Sequence, residues 1–150
     1  MVFWAHDKRR LTGEVWVTPE KHKAWHLRIL ENQKTKRDSD PLARLKGNTR
    51  SLMIHSLKTS GLKKNTKTES ILGCSFKSYK KHIQSQFTEG MTWENQGEWH
   101  VDHRLPVSAG KTEDEIIKLN HHSNLQPMWK RENIIKGDSY CPKQLEEYLH

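Results

Sequence analysis

The apolar pattern of this chain changes character close to residue 98, and that change limits the folds open to it. Before it, large apolar residues recur at helical spacing; after it, "EWHVDHRLPV" reads as a strand. A polar helical insert, "KTEDEIIKLNHH", leads to "NLQPMW" as a return strand and "KRENIIKG" as a short helix stopped by Gly137. The closing unit is thus strand, strand, helix, and the fold class expected is α+β with a mostly helical N-terminal half. With 33% hydrophobic and 29% charged residues in 150, one modest core is affordable.

The helices carry clear end signals. "TPEKHKAWHLRILENQKTKR" has Thr18 as N-cap and Pro19 at the first helical position, but is polar on most faces. "DPLARLKGNTRSLMIHSLKTSG" repeats the design with Asp40 and Pro41, an apolar stripe through Leu42, Leu45, Leu52, Met53 and Leu57, and Gly61 as the stop. The Lys-rich "GLKKNTKTES" reads as an exposed basic loop, "TESILG" as a short capped turn of helix, and "SFKSYKKHIQSQFTEG" as a helix with Phe76, Tyr79, Ile83 and Phe87 on its core stripe before Gly90. "CPKQLEEYLH" makes a short terminal helix.

Charge is unevenly placed. Residues 1–70 hold 16 Lys/Arg against 7 Asp/Glu, whereas residues 71–150 hold 10 against 11, so the whole excess of the +8 chain is N-terminal. A concentrated positive field suits a polyanion, because each phosphate neutralised releases counterions. Candidate contacts are Arg44, Arg50, Lys58, Lys63, Lys64 and Lys67, joined by Lys130 and Arg131 near the closing helix. A basic helical DNA-binding region over 1–70 and a core with its leading helix over 71–150, together one compact unit, is the expected organisation. No apolar run reaches the roughly 18 residues that span a bilayer, and "MVFWAHDKRR" is not patterned as an export signal. No membrane association and a cytoplasmic location are therefore expected. Cys74 and Cys141 form no CxxC pair and are read as free thiols.

The chemistry concentrates in "WHVDHRLP". Strand alternation puts His100 and Asp102 on one side and His103 on the other, so only a bend aims Asp102 and His103 at one substrate atom; Pro106 makes such a departure plausible. Asn124, at the start of the return strand, has an amide able to pin the bent backbone. On the closing helix Trp129, Asn133 and Lys136 share a face. A carboxylate from Asp102 and an amide oxygen from Asn133, completed by water and a phosphate oxygen, suit Mg²⁺ or Mn²⁺. His103, with an unperturbed pKa of about 6.5, is free to act as general base on water. That is equipment for phosphodiester hydrolysis.

These residues resemble the HNH endonuclease family: "WHVDHRLP" is followed 21 residues after His103 by Asn124 in "SNLQPMW", and 9 residues later by Asn133 in "ENIIKGD". The preceding "ILGCSFKSYKKHIQSQFTEGMTWENQGEWHVDH" is similar to the phage-borne and homing-type branch. The resemblance covers Asp40 to Asp138 well and residues 1–20 poorly. It implies a ββα-metal core, His103 as general base, Asp102 and Asn133 as holders of one divalent ion, and Asn124 as the residue orienting the His103 loop. Asn133 stands where the family name has His, an H-N-N variant. The implied activity is hydrolysis of DNA, with double-stranded DNA the expected partner, to 5′-phosphate and 3′-hydroxyl ends.

Other readings stay open at this level. His100 either touches the scissile phosphate or packs beside Trp99; His121 either has a structural role or approaches the active site; Lys136 lines the phosphate path or a solvated helix face. Structural zinc is not expected, since neither Cys lies near the histidines. A DNA-binding protein with a catalytically silent HNH scaffold is the alternative function. The chain is expected to be a monomer or weak dimer.

Overall fold

A computed structural model describes residues 18–150; the reading of "MVFWAHDKRR" lies outside them. The fold is α+β, as expected. Helices α1 (Pro19–Ser39), α2 (Pro41–Thr59), α3 (Thr68–Leu72) and α4 (Phe76–Gln84) precede strand β1 (Trp99–His103). After α5 (Glu113–Leu119) come β2 (Leu125–Trp129), α6 (Lys130–Lys136) and α7 (Pro142–Leu149).

The end signals act as their chemistry requires. Asp40 accepts from the Leu42 amide at 2.9 Å while Pro41 opens α2. Thr112 and Glu115 form a reciprocal capping box on α5. Gly73 ends α3 at φ 72°, a left-handed conformation that favours glycine. One boundary differs: α4 stops at Gln84, six residues before Gly90, because Ser85 ends the helix and Phe87 turns inward against Trp93 and Trp99, with ring centroids 5.0 Å away in each case. Packing of an aromatic cluster outweighs continuation of the helix.

Contacts divide the chain at Thr35/Lys36, and residues 36–150 form a compact unit. Within it Leu45, Met53 and Leu57 of α2 join the same buried cluster as Tyr79, Ile83, Trp99, Leu119 and Leu125. In α1, by contrast, no residue is buried, in keeping with its polar pattern. Among the described residues no helix is long and apolar enough to cross a membrane.

β1 and β2 pair antiparallel with His103 opposite Leu125, Asp102 opposite Gln126 and Trp99 opposite Trp129. Trp99 is fully buried and its indole N–H donates to the Thr92 carbonyl at 2.8 Å, which fixes where β1 begins. The Trp99, Val101 and His103 side of the ribbon faces the core, and α6 packs across both strands.

Assignment of α2 to the core has a measurable consequence. Leu45→Ala is expected to cost about 2–5 kcal/mol in urea unfolding, since it opens a cavity at a fully buried site. Leu27→Ala, on exposed α1, is expected to stay within about 0.5 kcal/mol. Equal effects at both positions would contradict this division of roles.

Candidate functional site

The site lies at the end of β1, where a pinned loop leaves the hairpin. Asn124 is buried and its amide is fully used: Oδ1 accepts from the Leu105 amide at 2.9 Å, while Nδ2 donates to the carbonyls of Leu105 at 2.8 Å and Leu119 at 2.7 Å. The Asn124 carbonyl in turn accepts from the Arg104 amide at 2.8 Å. One residue thereby holds the turn after His103 and the end of α5. This is the backbone clamp expected of it.

Asp102 and His103 occupy opposite sides of β1, and Lys136 of α6 connects them. Its ammonium lies 2.9 Å from Asp102 Oδ2 and donates to the His103 carbonyl at 2.8 Å. The two side chains of the Asp102–Lys136 pair are mostly shielded from water. Among the described residues Asp102 Oδ2 nevertheless receives no well-oriented hydrogen bond, so the ammonium offsets its charge by proximity. Asn133, half-buried, is one helical turn before Lys136 and so shares the face that Lys136 turns toward β1.

This donor set fits a hard divalent cation: a shielded carboxylate oxygen with unused lone-pair capacity, and a neutral amide on the helix face turned toward it. Among the described residues no three His, Cys, Asp or Glu side chains converge on a metal position. Two protein oxygens, with water and phosphate completing the shell, are a different kind of site.

The His103 imidazole points into the core side of the ribbon, where only 8% of the residue is exposed. Burial pushes its pKa below the ordinary histidine value; a hydrogen bond with Asn120 and the Asp102 charge oppose that shift, and the Lys136 charge adds to it. A neutral imidazole at neutral pH is the form a proton acceptor needs. Its Nε2 lies 3.0 Å from Asn120 Oδ1.

The remaining candidates separate. His100 is exposed on the Asp102 side of β1. His121 turns toward Gly73 and Ser123, with Nδ1 2.9 Å from Ser123 Oγ, and its ring lies 4.2 Å from that of His122. Burial lowers its pKa, with further lowering from His122 and His82. A structural role suits these contacts.

Arg44 donates to the carbonyls of Arg37 at 3.1 Å and Asp38 at 2.8 Å, so its guanidinium caps the end of α1. Arg50 lies over the Phe76 ring at 5.6 Å. Lys58, Lys63, Lys67, Lys130 and Arg131 are exposed, and half-buried Lys64 donates to the Thr66 carbonyl.

Two polar groups at the site were not singled out from sequence: Asn120 and, behind it, Ser56 of α2. Asn120 ends α5 in "KLNHH", where an Asn reads equally well as a helix terminator. Only the three-dimensional approach of α2, 64 residues earlier for Ser56, distinguishes the roles.

Two curated relatives, both from Acanthamoeba polyphaga mimivirus, are similar to this chain. Uncharacterized protein L426 is 35% identical over 80 residues, 51% of this chain and 35% of its own length. Uncharacterized protein L246 is 33% identical over 117 residues, 74% of this chain and 49% of its own. The chain thus spans from about a third to about half the length of these relatives. No family model matches the chain, and no solved structure matches it.

The burial of His103 makes a pH prediction. In the metal-free protein, NMR titration of its ring should give a midpoint below about 6.5, the value of an unperturbed His. Because the folded-state value is depressed, this group's contribution to stability is present above the unfolded value and is lost as pH falls through the folded one. A midpoint at or above 6.5 would contradict the neutral buried ring.

Proposed function

We propose that this protein is a divalent-metal-dependent DNA endonuclease of the HNH type, its hairpin and α6 serving as a ββα-metal core. The observation that carries the reading is the junction of Asp102, His103 and Lys136 at the end of β1, beside the loop clamped by Asn124. The spacing of the Asn124 and Asn133 positions supports the same reading.

In this reading Asp102 and Asn133 hold Mg²⁺ or Mn²⁺, which when bound supplies Lewis-acid stabilisation of the charge gathering on the phosphate and on the leaving 3′-oxygen. His103 accepts the proton of the attacking water, since burial keeps its ring neutral. Asn124 keeps the backbone after His103 from moving as the ring takes up charge. Lys136 is within reach of phosphate once Asp102 is otherwise engaged. Exposed Lys63 and Lys67, with Lys58, Lys130 and Arg131, supply sequence-independent attraction to the duplex backbone. Arg44 and Arg50, which also make capping and ring contacts within the chain, add to the field.

Substitution on plasmid DNA tests the assignment. His103→Ala should reduce nicking by about 10²-fold or more while leaving gel-shift affinity nearly intact, because it deletes a base and no cation. Asp102→Ala and Asn133→Ala should lose activity that excess Mn²⁺ partly restores, as weakened ligand sets do. Full activity in His103→Ala would refute the assignment of the base.

The basic loop makes a separate prediction. Replacing Lys63, Lys64 and Lys67 together should weaken binding to all duplexes alike and reduce the log–log salt slope by up to about 2.7, at roughly 0.9 per phosphate contact. An unchanged slope would show that duplex DNA is held elsewhere.

A further inference from the structure

The buried contacts on the far side of the His103 ring go beyond the ligand and base assignments. Asn120 Nδ2 donates to the Ile116 carbonyl at 2.9 Å, and its Oδ1 lies 2.9 Å from Ser56 Oγ and 3.0 Å from His103 Nε2. Asn120 is fully buried, Ser56 and His103 nearly so. Water cannot readily replace any member of such a set.

The orientation of the amide follows from its neighbours. A backbone carbonyl only accepts, so the amide end facing Ile116 has to be the NH₂ group; the reverse orientation would set two acceptor oxygens against each other. Oδ1 is left facing Ser56 and His103, and it too only accepts. The Ser56 hydroxyl donates to it, with the Met53 carbonyl at 3.1 Å as its alternative acceptor. The bond to His103 then requires a proton on Nε2. A neutral imidazole carries one N–H, so Nδ1 keeps the lone pair.

We infer that Asn120, braced by Ser56 of α2 and by the Ile116 carbonyl, is a positioning residue that holds His103 in its Nε2–H tautomer and so presents Nδ1 as the proton-accepting nitrogen. This rests on the reading of His103 as the general base, but the tautomer itself does not. It also gives α2 a part in the site: the helix that carries Arg50 and Lys58 reaches the base through Ser56. Ile116 and Asn120 belong to α5 and its cap, so the polar insert between the two strands is the bracket that carries the brace.

The test uses the full chain, metal-free, with ¹⁵N-labelled histidine at neutral pH. Long-range proton–nitrogen correlations should show protonated Nε2 and unprotonated Nδ1 for His103. Asn120→Leu should abolish that single pattern and give a mixture of tautomers. Plasmid nicking by the same variant should fall on the order of 10²-fold, with gel-shift affinity within about twofold. Should Asn120→Leu fail to fold, Ser56→Ala removes one small hydroxyl and should shift the His103 Nε2 proton resonance while the tautomer persists. A wild-type ring protonated at Nδ1, or a ring whose signals are unmoved in the folded variants, would overturn the inference. Absence of DNA cleavage by the wild type with the expected tautomer intact would instead count against the endonuclease reading, leaving Asn120 as the tautomer-setting partner of a buried histidine.

Discussion

The side-chain amide of Asn124 is the constraint on which the site depends. The chain leaves β1 at His103 and returns as β2 after 21 intervening residues. A detour of that length would leave buried backbone groups without partners near the hairpin end, each costly away from water. Asn124 satisfies three of them, on Leu105 and Leu119, with the two ends of one amide. The position of the His103 backbone, the end of α5 and the start of β2 follow from that clamp. An Asp in its place has no amide donors, and an Ala would leave all three groups orphaned.

A second constraint is electrostatic. Asp102 is screened from water and is compensated by Lys136, whose ammonium also engages the His103 carbonyl. Among the described residues one oxygen of this shielded carboxylate lacks an oriented donor, which is the lone-pair capacity that the proposed divalent cation would use. The same low exposure that intensifies the pair keeps His103 neutral. Burial, charge compensation and backbone clamping are therefore a single arrangement, built where a two-stranded ribbon too small to be stable alone is covered by α6 and backed by the helical core.

Much of this was legible in the sequence because local chemistry decided it. Pro and Asp at the start of α2 and glycine at the ends of α3 and α6 set boundaries without reference to the rest of the chain. The clamp by Asn124 was legible for a related reason, since an amide at the start of the return strand can serve both donors and acceptors of the backbone beside it. What was not legible depended on distant contacts. Phe87 reads as a continuation of the α4 stripe, yet it leaves the helix to join Trp93 and Trp99. The apolar stripe of α2 was legible, but not which elements it packs against, nor that Ser56 meets Asn120 across 64 residues. The contacts of Arg44 with the carbonyls of Arg37 and Asp38 at the end of the preceding helix likewise have no local signal in the sequence.

End-mapped cleavage by the unaltered protein tests whether the junction at the end of β1 hydrolyses DNA, as proposed. Supercoiled DNA incubated with it should be converted to open circles or linear products only when Mg²⁺ or Mn²⁺ is present, and every new end should carry a 5′-phosphate and a 3′-hydroxyl. Retarded DNA that remains uncut in each of these ions would contradict the account and leave a DNA-binding protein with a silent scaffold.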